Sequence, residues 1–401
     1  MDFIDAILES TKEYEAPRRF YQWAAYTAIS AVLKDRVWFD MAGNYNLYPN
    51  IYVLLYAQSS ARKGPPISLA ERIIKKVDNT RVINGRSSIE AVIKELGTIQ
   101  TRPGKKPIND SCGLMIASEL SSSIISNPSA MDIMTQFYDR IYNEGEWKYK
   151  LKVGESVTLK RPTITWFTGT NEALFKEFIP EKNINGGLIG RTFIISESKR
   201  NKVNSLMWRP KMVPNIDDLA KALIPITQLE GEFVMEEPIR QAYDIWYNEF
   251  VTKLEPEIKD DTGFVGRIGD FVIKMSMIIS SGRRGDKKLL IEDVKEAMDV
   301  VLPLIVPTKK VSASIKKGDI SAIEKRGLVV RYISNQPEFK DTRKRILKNL
   351  SLKIDGEDLD KVIQLLAEAD VVKAIHAGGE VTYALNMEKE EVRKWIETYR
   401  T

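Results

Sequence analysis

The stretch Asn50–Val77, NIYVLLYAQSSARKGPPISLAERIIKKV, constrains the fold more than any other. Ile51 to Tyr56 is an apolar, β-rich run with the length of a buried strand. Ala57 to Gly64 is small, polar and carries one lysine. Two prolines then open a segment with helical spacing: Ile67, Leu69/Ala70, Ile73/Ile74 and Val77. Proline suits the first helical turn, where its missing N–H would be unpaired anyway. Strand, tight loop with lysine, helix is the layout of a phosphate-binding loop, in which amides at a helix N-terminus and one ammonium cradle a polyphosphate. Aligned on Lys63, the pattern G-x-x-x-x-G-K-[ST] finds Ala57 at its first glycine, Arg62 at its second and Gly64 at its hydroxyl position. The lost glycines restrict close backbone approach, and the lost hydroxyl removes a Mg²⁺ ligand. Taken alone, the stretch also reads as a basic loop between a core strand and a helix.

The 401 residues suffice for two or three domains. A hydrophobic share of 43% beside 29% charged residues describes an ordinary soluble globular chain. A net charge of +5 permits a nucleic-acid partner without demanding one. One cysteine, Cys112, and one histidine, His376, exclude a disulfide framework, a Cys/His zinc site and a Ser-His-Asp triad. With no apolar run of about 18 residues and no signal-peptide pattern, the expectation is a cytoplasmic protein with no membrane segment.

Residues 1 to 40 read as helical, with Phe3, Ile4, Ile7 and Leu8 on one face and Pro17 as a break before Phe20–Leu33; a small helical segment or collar is expected. Val37 to Tyr52 predicts a hairpin around Gly43 and Asn44. A strand at Arg81–Asn84 and a helix capped by Ser87 or Ser88 follow. Gly113 to Glu119, GLMIASE, predicts a buried strand that delivers a carboxylate at its C-terminal end, where nucleotidases keep their Mg²⁺-organising and water-activating acids. A strand that simply ends in a charged loop is the other reading.

Ala130 to Tyr142 predicts an amphipathic helix. Trp147 to Arg161, WKYKLKVGESVTLKR, alternates cleanly and predicts a hairpin, with Trp147, Tyr149, Leu151 and Val153 on one face and Lys148, Lys150 and Lys152 on the other. Joined by Lys160 and Arg161, these lysines make a basic finger suited to phosphates, or a solvated edge guarded by charge. Pro162–Thr168 is a buried strand leading to Asn171, and Gly186-Gly187-Leu188-Ile189-Gly190-Arg191 presents one guanidinium beside a further strand, Thr192–Ser196. A basic linker at Ser198–Pro214 precedes four helices between 215 and 305, the third carrying Arg267, Asp270 and Lys274 on one stripe. Lys309–Lys317 reads as a second basic linker. Three helices and a two-stranded wing then follow, with Arg343, Lys344, Arg345 and Lys348 crowding the second helix.

Taken in this order, the stretches resemble AAA+ ATPases, and among them the replicative helicases of phages, plasmids and integrated elements related to minichromosome-maintenance and superfamily 3 helicases. The resemblance implies an α/β fold: an AAA+, P-loop NTPase-like core at 41–205, an N-terminal helical segment at 1–40, a helical lid at 206–308 and a winged helix at 318–390. It implies ATP and Mg²⁺ as cofactors. Lys63 would grip the β- and γ-phosphates, with Ser60, Ala61, Arg62 and Gly64 completing the loop. Glu119 would polarise the attacking water, with Ser118 beside it at the Mg²⁺ position, and Asn171 would be the sensor. Arg191 resembles an arginine finger acting on a neighbouring subunit's nucleotide, and Arg267 the lid's second sensor. Lys148, Lys150, Lys152, Lys160 and Arg161 would line the DNA channel of a hexamer, and Arg343, Lys344 and Arg345 would meet DNA from the winged helix. Two functions follow: an ATP-driven DNA helicase or translocase in the replication of a virus or mobile element, or a hydrolysis-impaired DNA-binding initiator, loader or scaffold.

Overall fold

The computed structural model describes the chain apart from residues 1, 79, 86, 102, 105–106, 121–127, 140–144, 151–155, 179–186, 204–209, 259, 317–321, 351–353, 355, 378–379, 391 and 394–401. It divides into two compact units, Met1–Ile315 and Lys316–Thr401.

A five-stranded sheet organises the first unit. Its strands are β1 (Tyr52–Tyr56), β2 (Val82–Asn84), β3 (Cys112–Ala117), β4 (Thr163–Thr170) and β5 (Thr192–Ser196), all parallel, in the order β2-β3-β4-β1-β5. β3 and β4 are buried along their whole lengths, the near-continuous apolar runs that a parallel sheet covered on both faces requires. All five carboxyl ends therefore share one edge, and all five amino ends the other.

The helices of this unit are α1 (Phe3–Ser10), α2 (Arg18–Leu33), α3 (Gly64–Lys76), α4 (Ile89–Leu96), α5 (Pro128–Tyr138), α6 (Glu172–Phe178), α7 (Ile216–Leu223), α8 (Glu237–Glu249), α9 (Ile268–Arg284), α10 (Ile291–Val301) and α11 (Ile305–Lys316). α4 is capped by Ser88, whose hydroxyl accepts from the Ala91 amide, which satisfies one orphan donor of the first turn.

The expected collar is instead part of the core. α2 is buried from Phe20 to Leu33 on nearly every side, and a helix apolar all round belongs inside. It packs against α3, α9 and β4, and the Ser30 and Thr165 hydroxyls bond at 2.7 Å. The four helices between 215 and 305 form as expected, yet they share one hydrophobic cluster with the sheet. Phe193 of β5 packs against Phe271 of α9 with ring centroids 4.8 Å apart and the rings tilted by 58°. The expected basic linker at Lys309–Lys317 lies mostly in α11, because Thr308, Val311 and Ser312 are buried and Ser312 donates to Asp261 at 2.8 Å. Among the described residues, no helix is long and apolar enough to cross a membrane.

The second unit runs α12 (Ala322–Ser334), a strand at Lys340–Thr342, α13 (Arg343–Leu350), α14 (Gly356–Glu368) and two strands, Val372–Ala377 and Glu380–Leu385. Glu380–Leu385 lies between the other two strands, antiparallel to both. The unit has its own core around Val329, Ile333, Ile346, Leu359, Val362 and Leu366.

Candidate functional site

β1 ends at Tyr56, and the chain crosses the carboxyl edge in a short 3₁₀ turn, Ser59–Ala61, before α3 begins at Gly64. Arg62, which stands where the phosphate-loop pattern has glycine, adopts the left-handed conformation a glycine would take (φ 58°, ψ 44°). For a residue with a Cβ this costs about 1–2 kcal/mol. Its guanidinium is held by Glu15 at 2.7 Å, which anchors the loop in that shape. The sharp loop thus survives the loss of its glycine.

Lys63 is buried, and its ammonium donates to the Ala57 and Gln58 carbonyls at 2.8 and 3.1 Å. Burial lowers its pKa, while the charge of Glu119 acts in the opposite sense. Glu119 follows β3, with one carboxylate oxygen buried and without a hydrogen-bond partner. Asn171 follows β4, the strand between β1 and β3. Its Oδ1 caps α6 by accepting from Leu174 N at 3.0 Å, and its Nδ2 reaches Ser59 Oγ at 3.4 Å. Gly169 lets these strand ends close up, since a Cβ there would sit 3.0 Å from Ser118 O and 3.4 Å from Lys63 Cδ. Lys63, Ser118, Glu119 and Asn171 are therefore gathered at one edge, with Ser60, Ala61, Arg62 and Gly64 in the loop itself. Pro65 and Pro66 open α3 and remove two of the amides that a helix N-terminus offers an anion. The amides of Lys63 and Gly64 remain.

Among the described residues, no group of three or more His, Cys, Asp or Glu side chains is placed to hold a metal. The orphaned Glu119 oxygen and the exposed Ser118 fit Mg²⁺ nonetheless, because that ion is commonly held by one or two carboxylates, the substrate's phosphates and water.

Arg191 and Arg267 lie elsewhere. Arg191 immediately precedes β5, whose Thr192 pairs with Tyr52 at the amino end of β1, so it stands at the edge opposite Lys63. Its Nε donates to Asp139 Oδ2 at 2.9 Å, its Nη2 bonds the same oxygen, and its Nη1 donates to Gly187 O at 2.9 Å. The guanidinium is thus already engaged within its own chain. Arg267 is its neighbour: burial and then the charge of Arg191 lower its pKa. Arg267, expected as the lid's second sensor, thus lies beside Arg191 and away from the Lys63 loop of its own chain, because α9 starts at the far edge of the sheet. Asp270 and Lys274 of α9 join this cluster. Lys274 is buried, donates to Asn50 O and Oδ1 at 3.2 and 3.0 Å, and lies 3.9 Å from the centroid of Tyr138. Burial pulls its pKa down to about 7 against the pull of Asp270 and Asp139.

The basic hairpin forms at Glu146–Tyr149 and Val157–Lys160, with Trp147 opposite Leu159 and Lys148 opposite Thr158. Trp147 packs edge-on to Phe137 at 5.1 Å and stacks on Tyr149, so these aromatics belong to the packed face. Lys148, Lys150 and Lys160 are exposed; Lys152 lies outside the described residues. Arg161 reaches Asp35 at 3.7 Å. In the second unit Arg343 forks onto Asp360 of α14 at 2.7 and 2.8 Å; Lys344, Arg345 and Lys348 are exposed, with Arg345 3.9 Å from Asp341.

The sequence reading missed Asp139 as the partner of Arg191. It also missed that GLIGR (187–191) and GFVGR (263–267) are one pattern used twice. That repeat was the available signal.

Fold and site together define an α/β protein whose parallel sheet is compatible with a P-loop-like core, its lysine loop and strand-end acid on one edge. No protein-family model matches the chain, and a search of curated proteins finds no match.

Proposed function

We propose that the chain is an ATP-dependent DNA helicase or translocase of the AAA+ kind, working in the cytoplasm as a ring, expected to be hexameric, in the replication of a virus or mobile element. The observation that carries this reading is the convergence at the carboxyl edge: β4, bearing Asn171, lies between β1 with its Lys63 loop and β3 with Glu119. A polyphosphate there would draw the Lys63 ammonium away from the Ala57 and Gln58 carbonyls and accept the amides of Lys63 and Gly64. Glu119, with an unpaired oxygen, would orient and deprotonate the attacking water, and Asn171 would donate to that water or to the γ-phosphate. Glu119 and Ser118 would hold Mg²⁺, which when bound neutralises charge on the phosphates.

Arg191 and Arg267, on the opposite edge, would serve a nucleotide held by the next subunit. The exposed Lys148 and Lys150, with Lys152 and Lys160, would track a DNA backbone through the ring. The second unit, with its order α12, strand, α13, α14, two strands, would serve as the winged helix, and Lys344, Arg345 and Lys348 would give it a phosphate-contacting face. The experiment is an ATPase assay of the purified chain with and without single-stranded DNA. Stimulated turnover supports the proposal, and its absence removes it.

A second reading is favoured by Gly64, Pro65 and Pro66, which together withhold a hydroxyl and two amides from the phosphates. On that reading the chain binds nucleotide without turnover and acts as a DNA-bound initiator, loader or assembly scaffold.

A further inference from the structure

Two five-residue segments, Gly187-Leu188-Ile189-Gly190-Arg191 and Gly263-Phe264-Val265-Gly266-Arg267, share sequence pattern and conformation. Each begins on a left-handed glycine (φ 87° and 75°) and ends in a 3₁₀ turn, Ile189–Arg191 and Val265–Arg267. In each, the arginine Nη1 donates to the carbonyl of the glycine four residues earlier, at 2.9 and 2.6 Å. A Cβ at Gly187 would lie 2.5 Å from Arg191 Nη1, and one at Gly263 2.7 Å from Arg267 Nη1. The left-handed backbone favours glycine at both positions, and a Cβ at either would push the guanidinium off the carbonyl it binds. The two turns also interlock: a Cβ on Gly190 would overlap Thr262 O and come within 3.1 Å of Gly263 C. The fold thus builds the same arginine-presenting device twice and packs the copies together.

Two guanidiniums brought together in a partly buried place repel each other and are costly to desolvate unless an anion joins them. Two carboxylates face them: Asp139, which takes both Nε and Nη2 of Arg191 on a single oxygen and whose charge reaches Arg267, and Asp270, whose charge also reaches Arg267 while its Oδ1 accepts from Tyr45 OH at 2.9 Å. Asp139 directly follows the last residue of α5, where the helix's own carbonyl end disfavours a negative charge. Asp139 thus holds Arg191 against the sense of its own helix end, and an oxyanion that does not meet that end can compete with it for the guanidinium.

We infer that the twin turns form a receptor for one phosphoryl oxyanion, and that Asp139 is a built-in competitor that occupies it until a phosphate displaces the carboxylate. Guanidinium pairs match phosphate oxygens in geometry as well as charge. The receptor stands apart from the Lys63 loop, on the opposite sheet edge, so its existence does not depend on ATP turnover; only the source of its phosphate draws on the proposed function.

The test uses the full chain carrying Lys63→Ala, so that the loop does not contribute, with inorganic pyrophosphate as the probe in isothermal titration. Asp139→Asn in that background should tighten pyrophosphate binding about tenfold or more, and adding either Arg191→Lys or Arg267→Lys should abolish the gain. Unchanged affinity on Asp139→Asn, or a gain that survives both lysine replacements, would overturn the receptor in favour of a purely structural ion pair. Should Asp139→Asn not fold, the Lys63→Ala chain itself serves: pyrophosphate should raise its melting temperature, and more than it raises that of the Arg267→Lys derivative. Equal shifts overturn the inference. A mixing arm distinguishes the source. Co-sedimentation of the Lys63→Ala chain, only with ATP, with copies that keep Lys63 but carry both arginine replacements assigns the phosphate to a neighbour's nucleotide. Pyrophosphate binding without co-sedimentation assigns it to a free ligand.

Discussion

Arg62 and Gly64 occupy two positions at which the lysine loop departs from the phosphate-binding pattern, and their geometries differ in consequence. Arg62 reproduces the left-handed turn of the absent glycine and ties it to Glu15, so that departure leaves the backbone path intact. Gly64 is a chemical loss, since no glycine supplies a hydroxyl. The space is there, however: a Cβ on Gly64 would meet nothing within 4 Å, and its φ is not left-handed. Gly64→Ser should therefore fold without cost and preserve or raise ATP turnover by returning an oxygen ligand for Mg²⁺. Lower turnover with unchanged nucleotide binding would show that the hydroxyl does not reach the metal. The lysine and its surroundings were legible because residue type and local order carry them. The left-handed Arg62 was not, because an arginine in that conformation is held there by Glu15, 47 positions away in sequence.

Strands and helices with strong periodicity were legible in the sequence, as the buried run of β3 and the alternating hairpin at Trp147–Lys160 illustrate. α11 was not, because its lysines and serines mask a helix whose stability comes from burying Thr308, Val311 and Ser312. The partition of edges was also illegible: nothing local to Arg267 says that α9 begins beside Arg191 and Asp139, across the sheet from Lys63. Two elements carry predictions of their own. Replacing Lys148, Lys150 and Lys152 by Ala should flatten the slope of log DNA affinity against log salt by about 2 to 3, as three phosphate contacts are lost; an unchanged slope would return the hairpin to a merely solvated edge. In α9, Lys274 is held near pH 7 in the fold, whereas an unfolded lysine keeps its proton to about pH 10. Between these values the unfolded state binds more protons, so stability should rise with pH across that window and be least below it. Urea melts should display this rise in the wild type and lose it in Lys274→Met; equal slopes would mean that Asp270 and Asp139 keep the ammonium charged.

At the scale of the whole molecule, the first unit puts the Lys63 loop and the Arg191–Arg267 pair at opposite edges of one sheet, the arrangement that the proposed head-to-tail assembly would need for each copy to complete the next. If Arg191 acts on a neighbour's nucleotide, mixing Arg191→Ala chains with wild type should depress ATP turnover by more than their fraction in the mixture. A strictly proportional loss would count against action between subunits. The two-unit division follows from two separate apolar clusters. Within the first unit, α2 and α9 pack on the sheet in one apolar cluster. The central claim is that the edge holding Lys63, Glu119 and Asn171 turns over ATP in response to DNA. The measurement that meets it most directly is steady-state ATP hydrolysis by the wild type and by Lys63→Ala, each with and without single-stranded DNA. The account predicts hydrolysis that DNA stimulates in the wild type and that Lys63→Ala abolishes. No stimulated hydrolysis in the wild type, or equal rates in the two proteins, would contradict it.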